Sequence, residues 1–210
     1  MARSLVGGLI KSGIAPESMI VSDPDDSIRR ALVEDFSIQT CADNTDAARV
    51  ADILVLAVKP QVMRCAVEDI AESLLQRQPL VVSIAAGIPI ASIESWAGSP
   101  LPLIRVMPNT PAQIGEGMSL WTCSDGVDES RREMVKAVLG TIGQEIYVAD
   151  EKYMDMATAL SASGPAYVFL FIEALIDAGV YVGLPRDMAR TMALQTVFGS
   201  TKLVMESGMH

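Results

Sequence analysis

Up to about residue 150, hydrophobic positions alternate between short continuous runs and longer stretches where they recur every three to four residues. Ile53-Leu54-Val55-Leu56-Ala57-Val58 and Leu80-Val81-Val82-Ser83-Ile84-Ala85 are apolar at nearly every position, as strands covered on both faces should be. The same pattern predicts further strands over residues 19–22, 103–107, 118–122 and 145–148, and helices over residues 2–11, 25–35 and 61–75. Asp128 stands just before a helical stretch in which Val135, Val138, Leu139 and Ile142 form one apolar stripe. Its carboxylate is placed to cap that helix, which Gly140 or Gly143 closes. Strands alternating with helices imply an α/β fold with a doubly wound, mostly parallel, Rossmann-like sheet.

Beyond residue 150 the strand signal stops. Helices are predicted over residues 151–160, 165–180 and 185–206, with Pro165 and Pro185 suited to first helical turns. This gives two domains, residues 1–149 with the sheet and residues 150–210 as an all-helical segment. The helical segment carries Phe169, Phe171, Ile172, Leu175, Met188, Met192, Phe198, Leu203 and Met205. A segment so short cannot bury them all alone, and a homo-oligomer that covers them is expected.

Half of the 210 residues are hydrophobic, enough for a substantial core, and the formal net charge is -10. That charge, with basic residues scattered along the chain, argues against nucleic acid as a partner. Residues 166–184 are apolar enough to suggest a membrane span. Glu173 and Asp177, however, lie four apart on one helical face, and each would cost roughly 2.5–3.5 kcal/mol in hydrocarbon, so no membrane is expected. The opening Met1-Ala2-Arg3-Ser4-Leu5 lacks a secretory hydrophobic run. Cys41, Cys65 and Cys123 are odd in number and widely spaced, which fits reduced thiols and a cytoplasmic location. His210 is the only histidine, so neither a histidine-built metal site nor a histidine triad is expected.

The candidate chemistry lies where apolar strands break off. Leu56-Ala57-Val58-Lys59-Pro60-Gln61, Ser83-Ile84-Ala85-Ala86-Gly87 and Arg105-Val106-Met107-Pro108-Asn109-Thr110-Pro111 all pass from strand to turn residues. In an open α/β sheet such ends face the ligand crevice. A nicotinamide cofactor is a frequent occupant, although fold alone does not assign one. No Gly-x-Gly-x-x-Gly follows a first strand; Gly7-Gly8 falls inside the first predicted helix, which Gly13 closes.

Taken together with Met1-Ala2-Arg3-Ser4-Leu5-Val6-Gly7-Gly8-Leu9 and Leu160-Ser161-Ala162-Ser163-Gly164-Pro165-Ala166-Tyr167, these motifs give the chain a resemblance to pyrroline-5-carboxylate reductase from end to end. Each motif is weak alone; their order and spacing are specific. The resemblance implies an oxidoreductase of proline biosynthesis, transferring hydride from NADPH or NADH to the C=N bond of 1-pyrroline-5-carboxylate to give L-proline. It implies cofactor contacts at Ser22, Asn44, Ala57, Val58, Lys59, Pro60, Ile84, Ala85 and Ala86. It further implies substrate contacts at Ser163, Gly164 and Glu206, and points to no side chain as the catalytic acid.

Members of that family carry a strand and glycine loop before the position of Met1 and a further loop beyond that of His210. Weak or no turnover is therefore expected of these 210 residues. Other readings stay open at this stage. Asn44 can cap the helix that follows it, Lys59 can be a solvated cation, Met107-Pro108-Asn109 a plain turn, Ser163 an ordinary cap and Glu206 a surface acid. Asp23 after Ser22 favours the ribose hydroxyls of NADH, whereas Arg29 or Arg30 would suit the extra phosphate of NADPH. Two further functions compete with the reductase: a catalytically silent helical self-association module, and a related dehydrogenase with another substrate.

Overall fold

Alternate residues of the central strands enter two different cores. In β4 (Leu80–Ser83) and β5 (Leu103–Met107), Val81 and Leu103 join Leu56 of β3 (Ile53–Leu56) on one face. There they pack on Met63, Val67, Ile70 and Leu74 of α4 (Pro60–Arg77) and Ile93 and Ala97 of α5 (Ile90–Ala97). Leu80, Val82, Ile104 and Val106 point the other way, onto Leu5 of α1 (Ala2–Lys11) and Val135 and Leu139 of α6 (Glu129–Gly140). Helices on both faces are why these strands read as continuous apolar runs.

The computed structural model describes residues 1–208; His210 lies outside them. The chain divides into two compact units, the first running from Met1 to Ala162. Within it, β3, β4, β5, β6 (Gly117–Cys123) and β7 (Gly143–Tyr147) form a five-stranded sheet in that order. All neighbours are parallel except β5 and β6. A separate parallel pair, β1 (Ile20–Ser22) and β2 (Gln39–Cys41), is joined by α2 (Asp26–Phe36). Helix α1 spans both sheets: Leu5 belongs to the core under β4 and β5, and its neighbour Val6 packs with Leu32 and Ile38 beside Val21 of β1. Gly8 brings α1 close to the end of α6, since a Cβ there would lie 3.0 Å from the Thr141 carbonyl oxygen.

Helix starts follow the aspartates. Asp25, Asp43 and Asp128 each accept a backbone N–H at 2.8 Å, capping α2, α3 (Asn44–Ala48) and α6. Asn44 is therefore the first residue inside α3 and not its cap, because Asp43 already accepts the Thr45 N–H. The predicted strands over residues 53–58 and 80–85 stop at Leu56 and Ser83. Pro60 at the first position of α4 holds Lys59 extended, at φ -64 and ψ 146, and the chain leaves the sheet early.

Lys152–Ala157 is α7, followed by a π-helical turn at Thr158–Ala162. Both belong to the first unit, because Met154 is fully buried with Met107 and Leu120. From Ser163, the second unit pairs α8 (Gly164–Tyr181) with α9 (Arg186–Ser207). Pro185 is the N-cap of α9 instead of a first-turn residue. The helices approach closely at Gly179, where a Cβ would meet that of Ala189 at 2.8 Å. In this unit only Ala189 and Ala193 are buried among the described residues, whereas Phe169, Phe171, Phe198 and Leu203 are more than half exposed. Residues Lys152–Tyr181 are long and apolar enough to cross a membrane by length and composition alone. Glu173 is exposed on that stretch, and Asp177 pairs with Arg186 at 3.1 Å.

Candidate cofactor and substrate sites

Strands β3, β4 and β5 run parallel and in step, with Leu56 opposite Ser83 and Ser83 opposite Arg105. Their carboxyl ends thus share one edge, and the loops that leave them begin together. The Ile84 N–H donates to the Leu56 carbonyl at 3.1 Å, joining the first two loops. Ala57, Val58, Lys59 and Pro60 lie on one side of that bond and Ile84, Ala85 and Ala86 on the other. Ala85 is 3% exposed, its methyl in the core. Lys59 is exposed and is the N-cap of α4, which has Pro60 at its first turn and no side-chain cap. Pro60 has no N–H and that of Val62 donates to the Lys59 carbonyl at 3.1 Å, so the Gln61 N–H and the helix dipole are what make this end attractive to anions.

Ser22 closes β1, and its Oγ is buried without a hydrogen-bond partner. Asn44 opens α3, which packs on β1, β2 and α4 and carries Ala48 into the core with Leu56. Ser22 and Asn44 are thereby gathered around one short helix. A cavity of about 490 Å³ beside it is lined by Ala42, Asp43, Asn44, Thr45 and Asp69. Hydrogen bonds from Thr45 hold the Asp43 carboxyl below the usual aspartate range. With Asp69 beside it the cavity is acidic, which suits hydroxyls better than phosphates.

The second unit holds the other named residues. Ser163 is the N-cap of α8 with its hydroxyl uncommitted to the helix, Gly164 is the first residue and Pro165 the second. The expectation of an ordinary serine cap is not met, because the Ser163 side chain makes no capping bond. Glu206 lies in the last turn of α9, 3.6 Å from Lys202 Nζ and largely exposed.

Sequence reasoning missed a network next to the strand ends. Arg105 donates from Nη1 to Glu151 Oε1 at 2.9 Å and from Nη2 to Asp155 Oδ1 at 2.7 Å. Asn109 donates from Nδ2 to the Ser161 carbonyl at 3.2 Å and accepts from the Met118 N–H at 2.9 Å. The available signal was a lone arginine inside the apolar run Leu103-Ile104-Arg105-Val106-Met107, since a buried charge demands partners. Among the described residues, no group of three or more His, Cys, Asp or Glu side chains gathers to hold a metal.

A helix-covered, mostly parallel sheet whose strand ends meet at uncapped helix N-termini defines the class as a Rossmann-like, dinucleotide-binding fold. Over 210 residues the chain is 41% identical to the pyrroline-5-carboxylate reductase of Pisum sativum, covering 100% of this chain and 76% of that protein. It belongs to the pyrroline-5-carboxylate reductase family. The Pseudomonas aeruginosa enzyme of the same name is 40% identical over 207 residues, covering 99% of this chain and 76% of its own.

The family described as "Pyrroline-5-carboxylate reductase dimerisation" matches residues 151–210, and "NADP oxidoreductase coenzyme F420-dependent" matches residues 1–87. Among solved structures, the Coxiella burnetii pyrroline-5-carboxylate reductase superposes with a TM-score of 0.93 at 32% identity, covering 100% of this chain and 77% of that one. The Plasmodium falciparum pyrroline carboxylate reductase, solved with NADP bound, gives 0.88 at 34% identity, covering 99% and 76%. Likeness to a prephenate dehydrogenase of Aquifex aeolicus, at 13% identity and a TM-score of 0.62, shows the shared fold alone.

Proposed function

We propose that this chain binds NADPH along the carboxyl edge of its first unit and reduces the C=N bond of 1-pyrroline-5-carboxylate to give L-proline. The observation that carries the cofactor part is the unpartnered, buried Ser22 Oγ at the end of β1, together with the uncapped start of α4. Both are polar groups left unsatisfied by the chain itself, as a binding edge requires. Ser22 and Asn44 would hold the adenosine side. The backbone of Ala57 to Pro60 and Ile84 to Ala86 would line the remainder, with the start of α4 offering the Gln61 N–H and its dipole to negative charge.

When bound, the cofactor supplies the hydride; the chain's task is to orient the reacting partners and keep water away. In the second unit, the first turn of α8 at Ser163–Gly164 offers the Ser163 hydroxyl and the Gly164 N–H to a substrate carboxylate, since Pro165 has no N–H and that of Ala166 donates to the Ser163 carbonyl at 3.1 Å. Glu206, on α9, is the acid the family resemblance assigns to the substrate region. Identity of about 40% to named reductases over the whole chain favours this substrate over that of a related dehydrogenase.

Homo-oligomerisation through α8 and α9 completes the reading. Their exposed Phe169, Phe171 and Phe198 and the match to a dimerisation family support it over a membrane role. The free thiols of Cys41, Cys65 and Cys123 support a cytoplasmic setting.

The test is loss of reduced-nicotinamide absorbance on adding pyrroline-5-carboxylate to the protein with NADPH, or separately with NADH, and identification of proline. Substrate-dependent oxidation supports the reading. NADPH binding without it would reduce the function to cofactor binding; neither binding nor oxidation overturns it.

A further inference from the structure

Arg105 is 1% exposed on a strand that is otherwise apolar. Its partners are not buried with it: the Glu151 side chain is 33% exposed and that of Asp155 70%. Replacing a buried ion pair with a well-packed hydrophobic side chain is often neutral or stabilising, so stability alone does not account for a charge here. The connections do. Glu151 Oε1, which accepts the Arg105 Nη1 hydrogen bond, also accepts the Ile90 N–H at 3.0 Å. Ile90 begins α5, directly after the loop that contains Ile84 to Ala86. One carboxylate thus ties β5, the start of α5 and α7 together. A few residues on, the Asn109 amide grips the Ser161 carbonyl, inside the π-helical turn Thr158–Ala162. π-Helical turns recur at functional sites.

We propose that Arg105 is a positioning residue for the reductase reaction. Through Glu151 and Asp155 it fixes α7 and the π-helical turn from which the chain enters the first turn of α8, without touching cofactor or substrate. Asn109 secures the far end of the same segment. The proposal rests on the reading of Ser163–Gly164 as the substrate's carboxylate anchor.

The experiment compares the protein with Arg105→Met and Arg105→Lys. Methionine fills the strand's apolar side and leaves Glu151 and Asp155 solvated, so the fold should survive; lysine keeps the charge but reaches fewer acceptors. For Arg105→Met, backbone hydrogen exchange should accelerate at least several-fold in peptides covering residues 88–92 and 151–164, with little change elsewhere. Specificity, kcat/KM, for pyrroline-5-carboxylate should fall by about tenfold to a hundredfold. The NADPH dissociation constant should stay within about twofold, and lysine should restore part of the loss. Unchanged exchange in those peptides overturns the proposal. So does a parallel loss of NADPH affinity and of protection throughout the sheet, which would mark Arg105 as structural only. If the unsubstituted protein oxidises no NADPH with this substrate, the reductase reading falls, while the exchange comparison still decides whether the clamp exists.

Discussion

Arg29 donates from Nη1 to the backbone carbonyl of Asp23 at 2.6 Å, which pins its guanidinium at the end of β1. Nη2 reaches Asp26 at 3.0 Å, and the side chain is only 18% exposed. Arg30 instead projects to Asp26 with its side chain 76% exposed. Asp23 itself accepts the Asp25 N–H at 2.9 Å. A cation held at the end of this strand suits the extra phosphate that distinguishes NADPH from NADH. Arg29→Ala is therefore expected to weaken NADPH binding by roughly tenfold or more, with a smaller effect on NADH. Arg30→Ala should change either by less than about twofold. Fluorescence titration of each variant with both nucleotides checks this; equal losses for NADPH and NADH would refute it.

A second expectation concerns the β6–β7 ladder, where Gly143 pairs with Gly117. A Cβ on Gly143 would lie 2.0 Å from the Gly117 carbonyl oxygen, and its φ is +142. Gly143→Ala should destabilise the first unit by about 3 kcal/mol, measured by urea unfolding. Gly140 meets nothing within 4 Å, so Gly140→Ala is the control and should be neutral or mildly stabilising.

Stability should also fall with acid in a way that three aspartates share. Hydrogen bonds from Ser27, Thr45 and Lys152 hold the carboxyls of Asp25, Asp43 and Asp150 below the usual aspartate value. A carboxyl whose pKa is depressed by folding stabilises the native state above its unfolded pKa, near about 4. That contribution disappears as pH falls through the lower folded values. A variant combining Asp25→Asn, Asp43→Asn and Asp150→Asn should lose stability less steeply below about pH 4. Parallel urea-midpoint curves against pH for the two proteins would contradict this.

The self-association proposed for the helical unit can be tested by disrupting that unit. Phe169 is 56% exposed and Phe198 63%, and charges placed there cannot be covered by an apolar partner face without a desolvation cost. Phe169→Glu combined with Phe198→Glu is expected to shift the protein to monomer in sedimentation velocity while helix content is kept. An unchanged sedimentation coefficient would contradict self-association through these helices.

The central sheet was legible because its strands are apolar on both faces; Val81 and Val82 serve opposite cores, and no helix pattern competes with such a run. The breaks at Lys59-Pro60 and Ala86-Gly87 were legible as the places where those runs stop, whereas Ala57, Val58, Ile84 and Ala85 read as strand and lie beyond the strand ends at Leu56 and Ser83. β2 was missed because Gln39-Thr40-Cys41 is short and polar, giving no periodicity to read. α5 was missed because Pro89 and the continuous apolar residues around it resemble a loop or strand as much as a helix. Arg105 announced itself as an oddity in an apolar run, but its acceptors lie 46 and 50 residues away. Only the folded chain could identify them.

Consecutive residues of α1 serve separate cores, Leu5 that of the five-stranded sheet and Val6 that of the β1–β2 pair. The two sheets share no strand-to-strand hydrogen bonds among the described residues, so their cooperativity passes through helices such as this one. Fraying of α1 would let the small pair open as its own foldon while the larger sheet stays intact. The end of β1, with Ser22 and Arg29, would then be the first part of the nucleotide edge to melt, and a bound dinucleotide would act as the missing mechanical brace between the two sheets.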